Sequence, residues 1–269
     1  MSLTVTTHHP EAVSQRGLPR FFSDMLVVTE RNLIALVRLP QSLFFSSIQP
    51  IMFVLLFRYV FGGAITVPGR AYVDYLMPGI FLQTVAFGSV GTAIGLAEDM
   101  QKGLIERFRS LPMARSAVLA GRTSADLVRN IGVLILITVV GLLVGFRIQA
   151  GIWAFLGGLL LILIFAYALS WGFSIIGLLA PNTETAQVMS FPLLFPLTFA
   201  SSAFVPVQSM PGWLQGFANN QPFSILVDAM RALSNGGPTS EYVIKALVWS
   251  FGILVVLAPY AASRFRKSF

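Results

Sequence analysis

The chain has 269 residues, of which 55% are hydrophobic and only 11% are charged, against about 25% charged in ordinary soluble domains. So large an apolar share exceeds what one soluble core of this length buries, and it also excludes an intrinsically disordered chain. The absence of cysteine excludes a disulfide-stapled domain, thiol catalysis and thiolate metal sites, which leaves a protein with several membrane spans.

The segment before the first long apolar stretch divides into two parts. Residues 1–19 are predicted to form a disordered tail. In residues 20–39, apolar side chains recur every three or four positions and the charged ones fall mostly on the opposite face, which predicts an amphipathic helix that Pro40 ends. Such a helix lies in the plane of the membrane surface, where it serves as an anchor or also docks another protein.

Six stretches are apolar enough to cross a bilayer, which takes about 20 residues each. They are Ser42–Phe61, Tyr75–Ala97, Asn130–Phe146, Ile152–Leu179, Gln187–Val205 and Val243–Ala262, and the third is expected to have a helical lead-in from Val118. The sequence therefore predicts an all-α membrane protein with a transmembrane domain over 40–264 and a short tail at 265–269. Pro192 and Pro196 fall inside the fifth stretch and are expected to kink or interrupt its helix.

The basic residues predict the orientation of these spans. Thirteen of the 18 lysines and arginines precede the first span, connect the second to the third, or follow the sixth. Loops enriched in basic residues stay in the cytoplasm, so both termini are expected there. The net charge of +7 is thereby explained by topology, and nucleic-acid binding is not needed to account for it.

The connection between the second and third spans, residues 98–117, is the largest internal loop on this side. Apolar residues at helical spacing lie opposite a row of mixed charges, Gly103 divides the segment, and Pro112 ends its helical part. A short amphipathic helix of this kind inserts into a groove on a soluble partner. A solvated connector fits the same pattern equally well.

The region 206–240 is too polar to span the membrane and too apolar for an ordinary loop. Trp213, Phe217 and Phe223 suit a position at the membrane interface. We expect one or two short helices dipping into the outer leaflet, with a folded outer cap as the alternative.

The sequence lacks the residues that several classes of transporter and enzyme require. The second, fourth and fifth spans have no charged residue in their interior, whereas ion-coupled carriers need titratable groups there. Asp126 and Arg129 are placed at the cytoplasmic entrance of the third span. The chain has neither a phosphate-binding G-x-x-x-x-G-K-[ST] loop nor an H-E-x-x-H zinc motif. We therefore expect that this chain is not an enzyme. If it transports a solute, another polypeptide is expected to supply the energy.

Two long stretches resemble the permease subunit of bacterial ABC-2 type exporters, in particular the daunorubicin-resistance permease group. They are GLIERFRSLPMARSAVLAGR (103–122) and SFPLLFPLTFASSAFVPVQSMPGWLQGFANNQPFSILVDAMRAL (190–233). The resemblance covers nearly all of residues 20–265. It implies the type V exporter fold, with an N-terminal interfacial helix, a cytoplasmic coupling helix within 98–117 and outer re-entrant helices within 206–240.

The resemblance also implies a function and its partners. The chain would be the permease of an ATP-driven exporter in the bacterial plasma membrane, moving a hydrophobic drug, antibiotic or lipid-like molecule outward. A separate ATP-binding subunit would hold the ATP and magnesium, a second permease chain is expected as a homodimer, and this chain would carry no cofactor, metal or catalytic residue. The substrate and the choice between homodimer and heterodimer stay open.

Two sets of residues are expected to carry this function. The residues assigned to coupling with the ATPase are Glu98, Asp99, Lys102, Gly103, Glu106, Arg107, Phe108, Arg109 and Pro112. The residues assigned to the substrate pathway, chosen mainly by helical spacing, are Gln83, Phe87, Gly91, Phe191, Phe195, Phe199 and Ser202. Aromatic side chains in a dry cleft suit a planar apolar substrate, although most phenylalanines of such a chain simply pack or face lipid.

Two other classes of function compete with this one. An ion-coupled multidrug or lipid carrier is the main alternative, and it would lose activity when the proton gradient is dissipated. A membrane scaffold or a membrane-bound biosynthetic enzyme is the third class, and the enzyme would need a cluster of catalytic side chains at one membrane face.

Overall fold

The computed structural model describes residues 18–38, 40–65, 67, 69, 71–104 and 115–267. Over these residues all regular secondary structure is helical, as expected. The elements are α1 (Leu18–Arg38), α2 (Pro40–Leu55) with a π-helical continuation (Leu56–Phe61), α3 (Tyr72–Gln101), α4 (Arg115–Leu143), α5 (Ile152–Leu179), α6 (Thr183–Phe199), a 3-10 turn (Val207–Ser209), α7 (Gly212–Asn220), α8 (Pro222–Asn235) and α9 (Ser240–Lys267).

Four of the described helices, α3, α4, α5 and α9, are long and apolar enough to cross a membrane. They contain the predicted second, fourth and sixth spans, whereas α4 covers the third only up to Leu143. The apolar stretch Ser47–Phe61 is shorter, and α6 has 17 residues, so its length of about 25 Å falls short of a 30 Å hydrocarbon core. Helix length alone therefore supports four crossings, and six remain a prediction.

Helix α3 is the centre of the bundle. It is buried along nearly its whole length, and it contacts α2, α4, α5, α6 and α8. We name the two ends of the bundle by Asp74 and Asp99, which lie near the first and last turns of α3. Helix α4 runs from the Asp99 end to the Asp74 end. Just after α4 ends, the backbone N–H of Arg147 donates to Asp74 at 3.0 Å.

Small residues bring the core elements together. A Cβ at Gly177 of α5 would lie 2.6 Å from the carbonyl oxygen of Ala93 on α3. A Cβ at Gly79 would likewise meet the Ala203 backbone in the turn after α6. Glycine at these two positions therefore allows α3 to contact the backbone of its neighbours directly.

Helix α1 packs on α4 at the Asp99 end. The Thr29 hydroxyl donates to the carbonyl of Gly121 at 3.0 Å, and a Cβ at Gly121 would overlap the surface of α1. Phe22 and Leu26, on another face of α1, are more than half exposed. The apolar residues of α1 thus form two faces, one that packs on α4 and one that is exposed.

The last turns of α9 also lie at the Asp99 end. Phe265 is buried there with Leu96 of α3 and Val118 of α4, and Phe21 of α1 packs against the same cluster. The first and last described helices consequently meet at one end of the bundle, as an even number of crossings requires.

Helix α6 runs without a break through Pro192 and Pro196, so these prolines do not interrupt it. It stops at Phe199, where the carbonyls of Leu197 and Ala200 each accept a hydrogen bond from the Gln221 side chain at 2.9 Å. Gln221 thus satisfies carbonyl groups that the end of a helix leaves without partners.

Candidate functional site

An ion cluster joins three helices at the Asp99 end. The Asp99 carboxylate accepts from Arg31 of α1 at 3.2 Å and from Arg122 of α4 at 2.6 Å. Arg122 lies across Gly95 of α3, where any side chain would overlap its guanidinium. Because the three side chains are 15–35% exposed, this pairing is less screened by solvent than a surface pair. Asp99 therefore ties α1 and α4 to the end of α3.

The adjoining residues end α3. Glu98 and Lys102 form an exposed ion pair at 2.5 Å, and the hydrogen bond to Glu98 raises the pKa of Lys102. Gly103 follows at φ +64°, a backbone conformation that terminates helices and favours glycine. The other residues assigned to coupling, Glu106, Arg107, Phe108, Arg109 and Pro112, lie outside the described residues, so their role stays a prediction.

A cavity of about 160 Å³ lies between α2, α3 and α4, which we name the central cavity. Three residues assigned to the substrate pathway, Gln83, Phe87 and Gly91, line it. Its other lining residues are Gln49, Pro50, Phe53, Thr84, Gly88, Arg129, Asn130 and Val133.

One wall of the central cavity is polar. Arg129 and Asp126 of α4 form an ion pair at 3.0 Å and are both mostly buried. The Thr92 hydroxyl donates to the second carboxylate oxygen of Asp126, and Arg129 donates to the carbonyl of Gly88. Asp126, which lies behind the lining residue Arg129, thus uses both of its oxygens in these contacts.

The structure places this pair deeper in the bundle than the sequence predicts. The sequence predicts Asp126 and Arg129 at the cytoplasmic entrance of the third span, on the helical lead-in from Val118, whereas their contacts with Thr92 and Gly88 put them alongside the middle of α3. The signal in the sequence was the spacing of Gly88, Gly91 and Gly95, which lie on one face of a helix. In the structure these glycines make room for Arg122, Arg129 and Asn130, so the groove holds polar side chains of α4.

The phenylalanines assigned to the pathway come together. The Phe195 ring lies 5.6 Å from Phe191 and 5.5 Å from Phe199 on α6, and 5.8 Å from Phe87 on α3. The row continues from Phe199 to Phe204 and then to Phe57, with centroids 5.4 and 4.6 Å apart. Phe195 and Phe199 remain 47% and 41% exposed, so one side of this aromatic row is open.

Ser202 lies apart from the aromatic row, in a polar network at the Asp74 end. Its hydroxyl donates to Asp228 at 2.9 Å, and its carbonyl accepts from Tyr75 at 2.9 Å. Arg231 of α8 pairs with Asp228, donates to the carbonyls of Tyr75 and Ser202, and stacks on the Tyr75 ring at 3.8 Å. Burial raises the pKa of Asp228, while Arg231 acts in the opposite direction.

This network fixes α8 inside the bundle. Asn235, the last residue of α8, donates to the carbonyl of Asp74 at 2.8 Å. Phe223, Leu226 and Met230 of the same helix are fully buried in the main core. The sequence predicts helices in 206–240, but it does not indicate that α8 is a core element, because its amphipathic pattern also fits a surface helix.

Comparison with known proteins identifies relatives over most of the chain. A family model described as ABC-2 type transporter matches residues 23–234. The daunorubicin resistance ABC transporter permease protein DrrB1 of Streptomyces coeruleorubidus is 34% identical over 237 residues, which cover 88% of this chain and 84% of that protein.

Two further relatives are more distant. The probable doxorubicin resistance ABC transporter permease protein DrrC of Mycobacterium tuberculosis is 28% identical, covering 95% of this chain and 92% of its own length. The inner membrane transport permease YadH of Escherichia coli is 23% identical, covering 78% of this chain and 81% of its own length.

Proposed function

The chain belongs to the ABC-2 type transporter family, and on that premise we propose that it is the permease subunit of an ATP-driven exporter of hydrophobic drugs, antibiotics or lipid-like molecules. It would cross the bacterial plasma membrane six times with both termini in the cytoplasm. A separate ATP-binding subunit would supply the energy, and a second permease chain would complete the pathway.

The Asp99 cluster is the observation that carries the coupling part of this proposal. Asp99 lies four residues before Gly103, at the start of the loop that would meet the ATPase, and it binds both α1 and α4. Movement of this loop would therefore reach α1, α3 and α4 together, because their side chains are joined at one carboxylate.

The aromatic row supports the position of the pathway. Its open side on α6 offers ring faces to a planar substrate or to the second permease chain. A path along the interface of two chains would use this side, with Phe87 connecting it to the central cavity.

A decisive test reconstitutes the chain with its ATP-binding subunit in vesicles and measures ATP-dependent transport of daunorubicin, the drug named for one relative. In this assay Asp99→Asn is expected to lower transport at least fivefold while ATP hydrolysis continues, because α1 and α4 lose their common anchor. Glu241→Gln, which removes an exposed carboxylate from α9, is the matched control and should transport normally. Equal rates for both variants would exclude the coupling role of Asp99.

A second variant tests the aromatic row. Phe195→Ala should reduce daunorubicin transport several-fold, because it removes the ring that contacts Phe87, Phe191 and Phe199. Phe251→Ala removes an equally exposed ring from α9 and should leave transport unchanged. If both variants transport at the rate of the unaltered protein, the pathway lies elsewhere.

One observation favours the ion-coupled carrier as a second candidate. The buried Asp126–Arg129 pair beside the middle of α3 is the type of group that proton-driven carriers use. An ionophore that collapses the proton gradient separates the two functions, because it would abolish transport by a carrier and leave ATP-driven export intact.

A further inference from the structure

Two arginines from different parts of the chain bind the C-terminal end of α4. Arg58, on the π-helical continuation of α2, donates through Nε to the carbonyl of Val144 at 3.3 Å. Arg147 donates through one terminal nitrogen to the carbonyls of Leu142 and Phe146, at 3.0 and 2.9 Å. Both guanidinium groups are therefore held beside the same short segment of backbone.

These two arginines differ from the other described cations at the Asp74 end. Arg231 and Lys245 each form an ion pair with a carboxylate. Within the described part of the chain, Arg58 and Arg147 form none, and the nearby carboxylate of Asp74 accepts the backbone N–H of Arg147 instead. The end of a helix contributes about half a negative charge, which offsets only part of two positive charges. This helix end therefore keeps an excess of positive charge that attracts an anion.

The surrounding side chains place this charge at the surface of the bilayer. Tyr59, next to Arg58, and Trp153, at the start of α5, are both largely exposed. Exposed tyrosine and tryptophan side chains concentrate at the level of the lipid headgroups. Val139 and Leu143, one helical turn apart on α4, are exposed as well, and they continue from this level along the apolar part of the helix.

A lipid phosphate is the anion that occurs at this level of a membrane. A guanidinium group presents a planar fork of N–H donors that matches two oxygens of a phosphate. In the hydrogen bonds of the described residues, the side chain of Arg58 uses only Nε and that of Arg147 only one terminal nitrogen. Each arginine thus keeps N–H groups with which it can bind an anion.

We propose that the C-terminal end of α4 binds an anionic phospholipid, with Arg58 and Arg147 donating to its phosphate and its acyl chains lying along the exposed apolar residues of α4. The phosphate joins the end of α2 to the end of α4. Phosphatidylglycerol fits this site, because no cation in its headgroup cancels the phosphate charge. The binding requires a bilayer and does not depend on export; only its assignment to the outer leaflet rests on the proposed function.

A phosphatidylglycerol that carries a diazirine beside its glycerol backbone tests the site. The full-length chain is placed in lipid nanodiscs with this probe and illuminated, and the adducts are mapped by mass spectrometry. We expect adducts in residues 56–61 and 142–147. The double variant Arg58→Gln with Arg147→Gln should lower this labelling about three- to tenfold, because charged hydrogen bonds to the phosphate are lost.

Lys245→Gln is the matched control. It removes a cation from the same end of the bundle, but one that is already paired with Glu241. Labelling of residues 56–61 and 142–147 should therefore stay as in the unaltered chain. Adducts at the Asp99 end provide a standard within each sample, and an unchanged unfolding temperature shows that the double variant is folded.

A second measurement needs no variant. A diacylglycerol with the same diazirine but no phosphate should label residues 142–147 of the unaltered chain about threefold less than the phosphatidylglycerol probe, or weaker still. Unlabelled phosphatidylglycerol should compete with the probe. Soluble glycerol 3-phosphate should not, because it lacks the acyl chains that bind along α4.

Three outcomes would overturn the proposal. Equal labelling by the two probes would mean that water alone solvates the arginines. Equal labelling of the double variant and Lys245→Gln would exclude a specific role of the two arginines. Displacement of the probe by glycerol 3-phosphate would indicate a site for a free phosphate compound. Failure of the proposed function gives a different result, because the labelling pattern would persist while ATP-dependent transport in vesicles is absent.

Discussion

Arginine side chains on α4 and glycines on α3 determine how these two helices contact each other. Arg122 and Arg129 reach across to α3 and end at Asp99 and at the carbonyl of Gly88. Each depends on a missing Cβ, because a side chain at Gly95 or Gly91 would occupy the place of its guanidinium. The polar contacts between α3 and α4 thus require glycine on α3 as well as arginine on α4.

Gly95→Ala tests this dependence. The new methyl group should displace Arg122 from Asp99 and lower the free energy of unfolding by about 1–3 kcal/mol, since a partly buried ion pair is lost. Thermal unfolding in detergent measures the change.

Gly132→Ala is its control, because a Cβ at this exposed position on α4 meets no atom within 4 Å. It should be neutral or slightly stabilising, as alanine is favoured over glycine in a helix. If Gly95→Ala were as stable as Gly132→Ala, Arg122 would not require the space over Gly95.

At the scale of elements, α8 illustrates how a short amphipathic helix becomes part of a core. Its apolar face contacts α3 and α5, and its polar residues bind backbone carbonyls of α3 and of the turn after α6. Gly158 of α5 provides the close approach, since a Cβ there would meet Met230. The helix therefore links the beginning of α3 to the end of α6.

Arg231 is the anchor of this arrangement. Arg231→Ala removes its hydrogen bonds to Tyr75 and Ser202 and leaves Asp228 without its cation, so we expect a loss of about 2–4 kcal/mol in unfolding free energy. Arg231→Lys should recover only part of this, because an ammonium group lacks the planar fork of the guanidinium.

Lys245→Ala is the comparison for this series. Lys245 pairs with Glu241 at the exposed start of α9, and surface pairs contribute little, so the unfolding transition should not move. A shift of the same size in Arg231→Ala and Lys245→Ala would show that α8 is held by its apolar face alone.

For the whole molecule, the positions of the two bundle ends relative to the membrane are the central prediction. The Asp99 end gathers α1, the end of α3 and the end of α9, and most of the basic residues lie on elements that meet there. The Asp74 end holds α7, α8 and their polar network. The charge bias predicts that the Asp99 end faces the cytoplasm.

Single cysteines can test this orientation, because the chain contains none. Lys102→Cys and Trp213→Cys place thiols at exposed positions near opposite ends of the bundle. A membrane-impermeant maleimide added to intact cells should label Trp213→Cys and spare Lys102→Cys, and inside-out vesicles should reverse the pattern. Labelling of both from the same side would contradict the orientation.

Much of the fold follows from local composition. The predicted span Ile152–Leu179 coincides with α5, and the others differ from the observed helices mainly at their ends. Helix ends depend on contacts as well as hydropathy, and α4 begins at Arg115, three residues before the lead-in expected from Val118. Its first half is kept helical by packing against α1 and α3, so Arg122, Asp126 and Arg129 are carried into the bundle.

Hydropathy and helical period are local properties of a chain, so the sequence suffices to predict that the protein is helical and membrane-bound and which phenylalanines share a face. The packing of the helices is needed to show that Ser202 belongs to the network of Arg231, that α8 is buried, and that Asn130 lines the central cavity. These facts depend on which helices are neighbours and on their rotation about their own axes. That arrangement is set by the joint packing of all helices, which no single segment of the sequence encodes.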